Sequence, residues 1–161
     1  MLPARNHAVG GLVEVFRALA ELLEPPLPEH APIANALGLD RIASAAEHTD
    51  VLVFQAYPYA AVYLGAEGML GGEARDRVAG LLRALGVELG ADVDHLGTLF
   101  ATLAQLAELE QASASPAAYR RARHALFWEH VASWMPPYLA LLRRLDSAFY
   151  QGWSSVAELA I

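Results

Sequence analysis

The chain has 161 residues, no cysteine, a hydrophobic share of 55% and a formal net charge of −7. That length suits one ordinary domain with a substantial core, and the missing thiols exclude disulfides, thiolate metal sites and cysteine nucleophiles. An acidic surface repels phosphate backbones, so nucleic acid is not an expected partner.

Alanine and leucine supply most of the apolar content and β-branched residues are few, which favours an all-α fold. No apolar run approaches the roughly 18 residues a membrane span needs, and the expected location is the cytoplasm. The charge is uneven. Residues 1–74 hold nine acidic side chains against three arginines, whereas residues 75–161 hold nine against eight. The acidity of the first half suits a cationic partner or a solvated surface.

In chain order, Leu12, Val15, Phe16, Leu19, Leu22 and Leu23 recur at helical spacing and predict a helix over 11–23. Glu14 and Glu21 interrupt it, so the start reads as a helix and not as an export signal. "EPPLPEHAP" ends the helix, because prolines cannot sit in its interior, and residues 24–32 form a connector. Helical character returns over 32–55, with a break near 38–40. "YPYAAVYLGAEGMLGG" follows, an aromatic and apolar stretch punctuated by Pro58 and four glycines. Residues 73–86 predict a short amphipathic helix stopped by Gly86. After the joint "GVELGAD", a stripe of Leu96, Leu99, Phe100, Leu103 and Leu106 predicts a helix from Asp92 or Asp94 to about Glu110. Ser115 is the expected N-cap of a helix over 116–135 with Pro116 at its first position. A further helix restarts after Pro136 and Pro137, and a short one closes the chain with Gly152 near its beginning. The expected architecture is one compact helical domain of seven or so helices in two lobes. The front lobe covers about 1–87, a hinge-like joint about 86–94, and the back lobe about 92–161.

Asp92, Asp94 and His95 form the densest group of potential ligands or acid/base side chains. An aspartate at a helix start is also the ordinary N-cap, and no His-x3-His or HExxH pattern accompanies the group, so no catalytic metal is expected. His124 and His130 fall on different faces of their helix. Glu47, His48 and Asp50 are neighbours in sequence, but adjacent helical positions point in different directions. GxSxG, GxxxxGK[ST] and GxGxxG are all missing, so neither a nucleophile nor a nucleotide motif, and no cofactor, is expected. Tyr57, Tyr59, Tyr63, Trp128, Trp134, Tyr138 and Trp153 either pack the core or line an apolar groove for a partner helix.

The order and spacing of three segments are similar to the TorD/DmsD type of redox-enzyme maturation chaperone. They are "YPYAAVYLGAEGMLGG", "DVDHLGTLFATLAQLAELE" and "HALFWEHVASWMPPYLALLRRLDSAFYQGWSSVAEL", together spanning most of residues 55–159. The resemblance implies an all-helical, two-lobed cytoplasmic chaperone, not an enzyme. Its implied partners are the twin-arginine signal peptide and the apo-form of a molybdopterin oxidoreductase subunit. It maps the peptide contacts to Tyr57, Tyr59, Tyr63 and Leu64, to Asp92, Asp94 and His95 at the joint, and to Phe127, His130 and Trp134. The joint reads "ADVDH", with Val93 where the family commonly has proline and Ala91 where glutamate would fall. The front half is also shorter than the family's, and the joint could support lobe exchange into a homodimer. Two other readings stand beside this one: a metal-dependent helical hydrolase using Asp94 and His95, and a helical adaptor with an unrelated partner.

Overall fold

Local signals decide where each helix starts and stops. The computed structural model describes residues 4–66, 68–88 and 90–161, and among these the regular structure is helical without a strand. Helix α1 (Ala4–Glu21) is followed by a turn that buries Leu22 and Leu23. Its core face is Val13, Phe16, Leu19 and Ala20, whereas Leu12, expected on that stripe, is 38% exposed. Val13 lies three residues before Phe16 and so takes the inward place.

The expected helix over 32–55 is instead two pieces with a longer break. Helix α2 (His30–Ala36) ends on Gly38, whose φ of 77° closes a Schellman turn with Leu39 N–H donating to Ala34 O. Helix α3 (Ala45–His48) starts on a capping box. Ser44 Oγ accepts from Glu47 N–H at 3.1 Å and the Glu47 carboxylate accepts from Ser44 N–H at 3.3 Å. The chain then runs on as a π-helical turn over Thr49–Gln55, which leaves Val53 and Phe54 exposed. Glu47 also accepts from Arg41 and from Ser147 Oγ, tying α3 to the far end of the chain. The Arg41 hydrogen bond is the main reason its carboxyl is held down at about 2.

Helix α4 (Ala60–Leu64) is short, and α5 (Gly72–Ala84) stops at Gly86 as expected. Gly86 has φ 69° and its N–H donates to Arg83 O, while Val87 N–H donates to Leu82 O, a second Schellman turn. Helix α6 (Leu96–Ala112) is the central element, packed between α1 and α7 (Pro116–Phe127). It buries Leu96, Leu99, Phe100, Leu103 and Leu106. Ser115 does sit before Pro116 at the start of α7, but its hydroxyl makes no capping bond. A second π-helical turn, Trp128–Ala132, extends α7. Helix α8 (Met135–Arg144) takes both prolines into its first turn, where their missing N–H groups leave no bond unmade. Helix α9 (Ala148–Ala160) packs on α8 and α1. Buried Trp153 stacks on Phe100 and donates from Nε1 to Leu19 O at 3.2 Å, which fixes α9 against both central helices.

Candidate functional site

The joint meets the tyrosine-rich segment backbone to backbone. Tyr59 and His95 pair as an isolated antiparallel bridge. Leu96 N–H donates to Pro58 O at 2.7 Å, and Ala60 N–H donates to Asp94 O at 3.0 Å. Either Asp92 or Asp94 was expected as the N-cap of α6, and the structure corrects this. Helix α6 begins at Leu96, so its N-cap is His95, whose Nδ1 accepts from Gly97 N–H at 3.1 Å. Asp94 turns the other way. Its carboxylate accepts from Ala61 N–H at 3.1 Å, within the first turn of α4, where Tyr59 gives no side-chain cap. Asp94 is only 2% exposed, so this bond is made out of water. Gly97 fits here because a Cβ would come within 3.0 Å of the His95 ring and 3.4 Å of Ala20 O on α1.

The cap defines the state of His95. A ring nitrogen that accepts a hydrogen bond carries no proton, so the ring is the neutral tautomer protonated on Nε2. Burial holds its pKa below the usual histidine value, against the opposing pull of Glu24, Asp92 and Asp94. The Tyr59 ring stands edge-on to His95 with centroids 5.0 Å apart, and its hydroxyl donates to Asp92 Oδ1 at 3.4 Å. Burial, and then the Asp92 charge, raise the Tyr59 hydroxyl above its ordinary value.

These groups border a cleft of about 410 Å3 between the end of α1, the π-helical turn after α3 and the joint. Its walls are apolar at Leu23, Leu52, Val53, Tyr57 and Leu70, and polar at Glu24, His48, Asp92 and His95. His48 is anchored there by a 3.1 Å hydrogen bond between its Nε2 and Leu23 O. A second cleft of about 350 Å3 adjoins it, sharing Glu24 and Thr98 and adding Glu21 and Glu88. Among the described residues, no arginine lines either one. Arg75 on α5 donates to Ala91 O at 3.2 Å.

The expected contact residues are thereby sorted. Tyr57, Tyr59, Asp92 and His95 line the joint cleft, with Asp94 buried behind it. Tyr63 is half-buried and packs against the core, stacked on Trp134 at 5.1 Å and edge-on to Tyr138 at 5.5 Å, and burial pushes its hydroxyl up to about 12. Trp134 is 1% exposed and donates to His130 O, and His130 is itself buried. Phe127 and the exposed Trp128 lie on a separate groove beside Leu12 and Ile161, and Leu64 borders a cleft against α5. Glu24, His48, Leu52, Val53, Leu70 and Thr98 were not among the expected site residues. Of these the sequence singles out only His48, beside Glu47 and Asp50, and the apolar Met69-Leu70 pair between Gly68 and Gly71 is a signal for Leu70. Among the described residues, no three His, Asp or Glu side chains come close enough to hold a metal ion, and no helix is long and apolar enough to cross a membrane.

Comparison with known proteins agrees in part with the similarity read from the motifs: it supports a redox-enzyme maturation chaperone but does not single out the TorD/DmsD type. The family model described as nitrate reductase delta subunit matches residues 13–140, from the core face of α1 to the middle of α8. No curated protein and no solved structure matches the chain. The match spans the joint, the tyrosine-rich segment and the central helix: the chain belongs to the nitrate reductase delta subunit family, a family of maturation chaperones for molybdoenzymes.

Proposed function

We propose that the chain is a cytoplasmic, non-enzymatic chaperone that binds the arginine-containing leader of a molybdenum-cofactor oxidoreductase subunit and holds that subunit in its apo-form. The observation that carries this reading is the joint cleft. It has an apolar wall of leucine, valine and tyrosine, a carboxylate rim of Glu24 and Asp92, and no arginine among the described residues that line it. A leader of the twin-arginine type offers the complement, two cations beside an apolar helical segment. The backbone bonds across the joint support it further, because they hold the cleft preformed and so lower the ordering cost of binding.

The test is titration of a peptide with two adjacent arginines followed by an apolar stretch, beside the same peptide with both arginines replaced by glutamine. The arginine peptide binds more tightly, and the difference shrinks as salt shortens the screening length to about 10 Å at 0.1 M. Tyr57→Ala weakens binding by about five- to thirtyfold, the range for a contributing contact. Equal binding of the two peptides would refute the reading.

A further inference from the structure

The two clefts at the joint continue into a third. This one, of about 490 Å3, lies between α4 and α5 and is bordered by Leu64, Met69, Leu70 and Arg77. It borders Leu70 together with the joint cleft, which shares Glu24 and Thr98 with the acidic cleft, so the three adjoin in series as a candidate track. Its chemistry changes from end to end. Glu21, Glu24 and Glu88 gather at the first end. At the other, Met69 and Leu70 are 61% and 59% exposed, and the nearby charges Glu73 and Arg77 face each other at 3.4 Å.

We propose that this track reads its peptide in one direction, with the arginine pair over Glu21, Glu24 and Glu88 and the following apolar segment crossing the joint to Met69 and Leu70. The inference rests on the peptide-binding reading of the joint cleft and adds to it a polarity and two sets of discriminating residues. The reversed placement is disfavoured at both ends. An apolar segment over the acidic cleft would strip water from three carboxylates and return no partner. Among the described residues, arginines at the far end would meet apolar side chains and a glutamate already paired with Arg77. In the stated direction each end meets its complement, and exposed Leu70 is covered.

The experiment uses the full chain, isotopically labelled, and a peptide of two adjacent arginines followed by a leucine-rich stretch, carrying a nitroxide at one end or the other. The nitroxide beside the arginines broadens the amide signals of Glu88 and Gly90 and spares those of Met69 and Leu70, and the nitroxide at the apolar end does the converse. In titrations, the joint change Glu21→Gln and Glu88→Gln weakens binding about fivefold. That loss disappears against the glutamine-substituted peptide. Leu70→Ser weakens binding of both peptides about tenfold, the loss expected when a leucine is no longer covered. Exchanged broadening patterns, equal broadening at both ends, or an undiminished loss against the glutamine peptide would overturn the direction while leaving a peptide site. Absence of saturable binding by any of the peptides would overturn the peptide-binding reading itself, and the direction with it.

Discussion

Asp94→Ala tests the account of the joint most directly. The wild-type carboxylate is 2% exposed and accepts from Ala61 N–H at 3.1 Å. Removing it leaves a backbone donor in the first turn of α4 unmet. A hydrogen bond to a charged acceptor contributes about 1.5–3 kcal/mol, and loss of a helix cap costs about 0.5–2 kcal/mol. These are two descriptions of one bond and do not add. Releasing a buried carboxylate from its desolvation offsets part of the loss, so the net cost is about 2 kcal/mol. For a chain of this size that lowers the melting temperature by about 4–8 °C. Urea denaturation of the two proteins measures the cost, and hydrogen exchange locates it. The Ala61 and Tyr63 amides exchange faster in the variant, while amides at the centre of α6 fall only by the global change. Asp94→Asn keeps an acceptor oxygen and loses about half as much. Stability of Asp94→Ala within about 0.5 kcal/mol of wild type would refute the cross-joint cap.

Burial elsewhere in the fold sets three further outcomes. The folded-state pKa of His95 lies below the ordinary value because of burial, and His130 is lowered for the same reason. The unfolded chain therefore binds more protons between that depressed value and about 6.5, and stability present above pH 6.5 is lost as the pH falls through this window. His95→Asn keeps an N-cap acceptor but does not titrate, so its urea midpoint changes less between pH 7.5 and 5.5; an identical pH response would count against it. Tyr138 is fully buried and its hydroxyl has no hydrogen-bond partner among the described residues, so Tyr138→Phe should raise stability by up to about 1 kcal/mol in a thermal melt, and a loss would show a hidden partner. Leu103 is 1% exposed at the centre of α6, and Leu103→Ala costs about 2–5 kcal/mol by urea denaturation, with a cost under about 1 kcal/mol contradicting its place in the core.

Helical periodicity carries information about burial, and the elements it governs were legible. The stripe of α6, the Gly86 stop of α5 and the position of Pro116 in α7 all stand where the sequence places them. Boundaries set by tertiary contact were not. The break after α2 extends to Ser44 because the capping box restarts the helix there, a signal present in "SAAE" but masked by the helical character on either side. The joint shows the larger gap. Sequence locates Asp94 and His95 beside a helix start, but which of them caps α6 depends on where Pro58 O and Ala61 N–H lie, and these come from a segment more than thirty residues away. The aromatic residues divide for a similar reason. Tyr57 and Tyr63 are six apart with a proline between, so helical phase cannot relate them, and only the packing of Trp134 against Tyr63 sets one against the core. Glu24 and Leu70 reach the cleft from loops, for which no periodicity exists.

The bridge between Tyr59 and His95 also divides the chain topologically. The described residues from Ala60 to Asp94 form a segment whose two ends meet at that residue pair, while Val78, Ala79 and Leu82 of α5 pack into the core. The free energy of closing such a circuit grows only with the logarithm of its length, about 0.6 kcal/mol for each doubling. The loops that flank α5 can therefore lengthen or shorten while the two ends stay clasped and the core face of α5 stays in place. Under the peptide-binding proposal, such changes would reshape the far wall of the track and leave the anchored end beside His95 as it is.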